Sequence, residues 1–172
     1  MLAPTSAPLI LTLSLDEAAQ AHFDALRQRY FPPERNYLRA HVTLFHHLPG
    51  PEASAIADHL THVTTTTPQL PLQVTGLRFL GRGVAYDLHN PELPRLHQQL
   101  QAAWAGLLTP QDQQKLKPHI TVQNKVDPAE ARALHQKLTE EFAPFQATGT
   151  GLTLWAYKGG PWEKLHQFPF GA

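Results

Sequence analysis

The chain has 172 residues, 42% of them hydrophobic, enough for one domain or two small lobes sharing a core. Its 14 basic and 14 acidic residues cancel, which argues against the broad basic face that holds long nucleic acid, and the absence of cysteine excludes disulfides, thiolate catalysis and thiolate metal sites. No segment reaches the roughly 18 apolar residues of a membrane span. The N-terminal MLAPTSAPLILTLSLDEA lacks the basic start of a signal peptide, so a cytoplasmic protein is expected.

Leu9 to Leu15 reads as a strand, LILTLSL. Asp16 can cap a helix whose Ala19, Phe23, Leu26 and Tyr30 fall at helical spacing, and FPPERN from Phe31 to Asn36 ends it. A second strand is predicted from Arg39 to Phe45, a turn at Pro49-Gly50-Pro51, and a helix from Glu52 to about Val63. Thr64 to Pro68 is β-prone but also linker-like. Leu70 to Leu80 and Val84 to Leu88 form a hairpin around Gly81-Arg82-Gly83. A helix from about Glu92 to Leu108 carries Leu93, Leu96, Leu100, Trp104 and Leu107 on one face. Thr109 to Lys117 is a polar loop, His119 to Gln123 a short strand, and Pro128 opens a last helix with Ala131, Leu134, Leu138 and Phe142 inward. Strands Gly151 to Tyr157 and Lys164 to Phe170 close the chain around Gly159-Gly160-Pro161. The order is that of an α+β protein, read as a single domain, 1–172, of two packed lobes. Each lobe is expected to have an antiparallel-rich sheet and outer helices, with a cleft between them.

Each half contains a β-α-β element whose second strand carries a similar word: HVTLF at 41–45 and HITVQ at 119–123. Residues i and i+2 of a strand share a face. His41 and Thr43 therefore point one way and Val42 and Leu44 the other; His119 and Thr121 oppose Ile120 and Val122. The same parity puts Arg39 and Phe45 on the first polar face, and Lys117, Gln123 and Lys125 on the second. Side by side, the two strands would surround a cleft with two imidazoles, two hydroxyls and positive charge, the makings of a phosphate site. Opening a cyclic phosphodiester needs a proton taken from water and a proton given to the leaving oxygen, and one neutral and one protonated histidine supply both without a metal. The bland alternative is that both pairs sit on solvated faces of half-buried strands.

Arg39, Lys117 and Lys125 are candidate phosphate clamps or solvated cations, and Phe45 a candidate for stacking on a nucleobase or for the core. His46 and His47 are adjacent in a strand and point to opposite faces, so they do not share an ion with His41. No H-E-x-x-H, P-loop or G-x-S-x-G word occurs, and neither a metal nor a cofactor is expected.

The words His41-Val42-Thr43-Leu44 and His119-Ile120-Thr121-Val122 resemble the paired H-x-[ST]-x marks of the 2H phosphoesterase superfamily. That superfamily includes the RNA 2',3'-cyclic phosphodiesterases and 2'-5' RNA ligases. The resemblance implies a pseudo-symmetric α+β fold and hydrolysis of a 2',3'-cyclic phosphate to the 2'-phosphate, a reaction that some ligase-type members also run backwards. It maps catalysis to His41 and His119 and phosphate binding to Thr43 and Thr121. It suggests His41 as the proton donor and His119 as the base, the reverse being equally buildable. The implied partner is a nucleotide or RNA terminus bearing a cyclic phosphate, met by a monomer away from any membrane; a catalytically idle binder of the same fold is the alternative. The tail LWAYKGGPWEKLHQFPF resembles the closing hairpin of bacterial members and offers Trp155, Tyr157 and Trp162 for stacking on a base or for the core, Tyr157 being taken as a substrate-binding residue.

Overall fold

Residues 2–171 are described by the computed structural model. In β1 (Leu9–Leu15), alternation sends Leu9, Leu11 and Leu13 into the core, while Thr12 and Ser14 lie on the opposite face. Asp16 then caps α1 (Glu17–Tyr30), its carboxylate accepting from the Ala19 amide at 3.1 Å, and α1 buries Ala19, Phe23 and Arg27. β2 runs over Val42–Leu48, α2 over Ala53–Thr65, β3 over Leu70–Phe79 and β4 over Val84–His89. α3 covers Glu92–Ala103, β5 His119–Gln123, α4 Pro128–Glu141, β6 Phe145–Ala156 and β7 Glu163–Pro169.

The fold is α+β, as expected, but the strands form one seven-stranded sheet rather than one sheet per lobe. The strand order is β2-β1-β6-β3-β4-β5, with β7 on β6, and every pairing is antiparallel. Two groups of strands are joined by one short ladder, Leu70–Val74 against Phe145–Gly149. The later part of β6 lies between β1 and β7. The strands carrying the two His-x-Thr words are the two ends of the path, and they also approach each other. Helix α1 packs on β5 and β6, α2 on β6 and β7, and α4 on β3 and β4.

Three boundaries differ from the sequence-based expectation for identifiable reasons. β2 begins at Val42 rather than Arg39, because the Ala40 amide donates to Asp24 (2.8 Å) and its carbonyl accepts from Gln20 (2.8 Å) instead of pairing with a strand. α3 stops at Ala103 rather than Leu108; Gly106 then turns the chain with φ of +87°. β6 starts six residues before the expected Gly151, since its Phe145–Gly149 segment finds a partner only in β3, remote in sequence. Among the described residues no helix is long and apolar enough to cross a membrane.

Candidate active site

The two histidines are held in the same way. His41 Nδ1 lies 2.8 Å from the carbonyl oxygen of Arg39, and His119 Nδ1 lies 2.8 Å from that of Lys117. A carbonyl only accepts, so each Nδ1 carries the proton of the neutral ring and each Nε2 keeps its lone pair. Each ring thus leans on the residue two positions before it. Register places the rest of the floor. Thr43 stands opposite Thr12, which stands opposite Thr153. On the other side Thr121 stands opposite Ala85 and Ala85 opposite Arg78, while His119 stands opposite Asp87.

A cavity of about 530 Å³ opens here, lined by Thr43, His46, Arg78, Lys117 and His119 and walled by the 111–117 loop. His41 and Thr121 flank it without lining it. His41 packs against Trp162, ring centroids 4.7 Å apart. Trp162 in turn meets Trp155 edge-on, and the Trp155 indole N–H donates to the Thr12 hydroxyl at 2.9 Å.

The outer edge of each word-bearing strand is capped by a buried charge, a protection that exposed strand edges need. Arg27 of α1 donates to the Thr121 carbonyl at 2.9 Å, lies over the Phe31 ring, and is pushed down to about 10 by burial, partly offset by Asp24. It therefore stays charged at neutral pH. Asp112, in a single 3₁₀ turn of the 109–117 loop, accepts from the backbone amides of His46 and His47, both at 2.8 Å. Burial opposes its ionisation, but the His46 side chain and the two amides more than offset that and hold its carboxyl below the ordinary value.

Burial pushes His41 from 6.5 down to about 4; the Arg39 carbonyl opposes this, and the charges of Arg27, His119 and His46 add to it. His119 is lowered by burial as well, with Lys117 opposing, Arg78 lowering and Asp87 raising. Both rings are neutral in the free protein near pH 7.

The structure places His41 immediately before β2 and Thr43 on it, His119 and Thr121 on the approaching β5, and Lys117 on the cavity wall. It does not bring Phe45 there. β2 bulges on either side of Leu11↔Phe45, so the strand parity slips, and Phe45 is fully buried, stacked on His97 (4.6 Å) and edge-on to Trp104 (5.2 Å). Gln123 is likewise buried, past a register shift between Val84 and Ala85. Arg39 is spent on Asp24, with nitrogens 2.8 and 2.9 Å from the carboxylate, and faces a separate hollow with Asn36 and Tyr37. Lys125 has left-handed backbone (φ 64°) and lines another hollow with Arg29 and Arg82. Tyr157 is exposed and does not line the cavity; of the three aromatic candidates in the tail, Trp162 touches a histidine. Arg78 and Asp112 are the site residues that sequence reasoning misses. An arginine and an aspartate inside the two apolar strands of the Gly81-Arg82-Gly83 hairpin are a signal for Arg78 and Asp87; Asp112, a lone acid in a polar loop, gives none. Among the described residues no three His, Asp or Glu side chains converge as metal ligands would.

The chain belongs to the 2'-5' RNA ligase superfamily, the 2H phosphoesterases, whose sequence profile matches residues 15–161. Its fold is similar to the crystal structure of TT0787 of Thermus thermophilus (TM-score 0.70, 17% identity), covering 96% of this chain and 98% of that one. It is also similar to E. coli LigT complexed with NADP+ (TM-score 0.61, 20% identity, 96% and 99% covered) and to E. coli LigT complexed with 3'-AMP (TM-score 0.56, 20% identity, 96% and 99% covered). No curated protein matches the chain.

Proposed function

We propose that the protein is a metal-independent cyclic phosphodiesterase that opens the 2',3'-cyclic phosphate of a nucleotide or RNA end to the 2'-phosphate. One histidine, neutral, takes a proton from the attacking water as its oxygen bonds to phosphorus. The other, protonated, gives a proton to the 3'-oxygen as the P–O3' bond breaks. Thr43 and Thr121 hold the non-bridging oxygens through their hydroxyls. In this reading the halves are two pseudo-symmetric lobes of a single domain, each delivering one histidine and one threonine to a common cleft. Run backwards, with a 5'-hydroxyl in place of water, the same two proton transfers join RNA ends through a 2'-5' bond.

The observation that carries the reading is the duplicated clamp: two approaching strands, each with a histidine at its start whose Nδ1 is on the carbonyl two residues earlier and whose Nε2 is left for proton transfer. A module that only binds phosphate has no use for two such histidines. The nucleotide and phosphate named in complexes of E. coli LigT support the substrate class. The absence of a converging set of metal ligands among the described residues is compatible with a metal-free reaction. In this reading the protein is a cytoplasmic monomer, and its near-neutral charge favours nucleotides and short RNA ends over long RNA. The test is turnover of 2',3'-cyclic AMP and of an RNA oligonucleotide ending in 2',3'-cyclic phosphate, in excess EDTA, with the product resolved as 2'- or 3'-phosphate by chromatography. Formation of the 2'-phosphate is expected; binding of either substrate without turnover would establish the idle binder.

A further inference from the structure

The two sides of the site are not chemically equal. On the His41 side the cross-strand row is Thr43, Thr12, Thr153, all neutral. On the His119 side it is Thr121, Ala85, Arg78, and it carries a cation. Ala85 has no side chain beyond Cβ, so the Arg78 side chain crosses over β4 from β3 and reaches β5, where Nη1 comes within 3.3 Å of His119 Nδ1 and 3.5 Å of the Lys117 carbonyl. Nη2 is ion-paired with Asp87.

The donor count of this arginine is incomplete. The Nδ1 proton of His119 is committed to the Lys117 carbonyl, so toward Arg78 that nitrogen offers no acceptor and the 3.3 Å approach is a meeting of two donors. The Lys117 carbonyl at 3.5 Å is at the limit of a hydrogen bond. Of the five N–H groups of the guanidinium, only Nη2 is engaged by a carboxylate, in an ion pair whose Asp87 Oδ1 has no well-formed hydrogen bond. The remainder border the cavity that Thr43 and His119 also line, and the side chain keeps 29% of its surface exposed there. Lys115 and Lys117, the other cations of the wall, stand on an exposed loop, whereas Arg78 is mounted near the end of strand β3, paired with β4 and braced by a carboxylate, a more rigid setting in which a planar fork selects a phosphate.

We propose that Arg78, oriented by Asp87, is the phosphate-binding cation of this site, holding the non-bridging oxygens of the substrate from the His119 side while Thr43 holds them from the other. This rests on the phosphodiester reading above and assigns its charge stabilisation to one side of the cleft. Asp87 is a positioning residue: it touches Arg78 and not the substrate.

Affinity and turnover separate this from a purely structural tie. Dissociation constants for inorganic phosphate and 2'-AMP would be measured by calorimetry, with kcat and KM on 2',3'-cyclic AMP, for the wild-type chain, Arg78→Met, Arg78→Lys, Asp87→Asn and His119→Ala. Arg78→Met is expected to weaken both ligands about 10- to 100-fold and to lower kcat/KM by at least as much. Arg78→Lys is expected to regain part of the affinity as a point charge without the fork, and Asp87→Asn to lose a few-fold. His119→Ala is expected to abolish turnover while binding phosphate within a few-fold of wild type. Wild-type affinity in a folded Arg78→Met protein overturns the proposal, and so does a loss of kcat alone, which would make Arg78 a brace for His119. Should Arg78→Met not fold, Arg78→Lys decides: weaker phosphate binding supports the assignment and unchanged binding overturns it. Because binding is read without turnover, a chain that hydrolyses no cyclic phosphate but loses phosphate affinity in Arg78→Met would sink the hydrolytic reading and keep this one.

Discussion

Replacing Asp112 by alanine should unfasten the 109–117 loop from the edge of β2. The carboxylate accepts two backbone amides at 2.8 Å, from His46 and His47, and is itself buried. A hydrogen bond to a charged group contributes about 1.5–3 kcal/mol net. His46 and His47 are exposed, so water can reach their freed amides and the lower part of that range applies. The expected cost is about 3–4 kcal/mol for the pair, or a fall in melting temperature of about 6–16 °C for a chain of this size. Asp112→Asn should cost nearly as much, because one of its two acceptors becomes an N–H group facing an N–H group. The pH dependence has a definite sign. The folded carboxyl lies below its ordinary 3.8, so its contribution is complete above that value and is lost as pH falls through the lower folded pKa. Urea unfolding at pH 7 and at pH 3 measures both: the difference between wild type and Asp112→Ala should be largest at pH 7 and shrink in acid. A difference under about 0.5 kcal/mol at pH 7, the range of an ordinary surface change, would refute the capping of the β2 edge by this carboxylate.

Both histidines titrate below 6.5, so the bell of kcat/KM against pH should peak on the acid side of 6.5 and decline through neutrality; a peak above pH 7 contradicts the burial of the rings. His41 followed by NMR should titrate near pH 4, and Trp162→Ala, which uncovers the ring it packs against, should move it up toward 6.5; an unmoved value would place the cause elsewhere. A Cβ at Gly83 would stand 1.9 Å from the Gln123 carbonyl oxygen, so Gly83→Ala must push the β4–β5 pair apart next to the strand that carries His119. A loss of at least about 2 kcal/mol and of most activity is expected, and a stable, fully active Gly83→Ala protein would show that the approach is not required.

The two words are legible because a strand's period of two is rigid over three residues, and His-x-Thr needs no more than that. Beyond three residues the same parity fails. Phe45 and Gln123 both follow register shifts, and a bulge is set by cross-strand packing that one sequence does not display. The helix stripes are legible from their spacing as far as the helices run, though Leu107, expected on the inner face of α3, lies beyond its end and is exposed; the α+β class and β5 at His119–Gln123 are legible too. The single continuous sheet is not, because it depends on the ladder between Leu70–Val74 and Phe145–Gly149, far apart in the chain. Arg39 is a reasonable clamp by parity, but Asp24, one helix earlier, captures it. The sequence hints at Arg78 but hides where it reaches: its approach to His119 passes over Ala85, and the shortness of that side chain matters only once β3, β4 and β5 are side by side.

Metal-free turnover by two histidines is the central claim. Wild type, His41→Ala and His119→Ala would be incubated with 2',3'-cyclic AMP and a cyclic-phosphate-ended RNA oligonucleotide in excess EDTA, with folding of each variant checked by circular dichroism. A 2'-phosphate product is predicted from wild type, with a loss of at least about 100-fold in each variant. Turnover that survives both substitutions, or that EDTA abolishes in the wild type, would contradict the two-histidine mechanism.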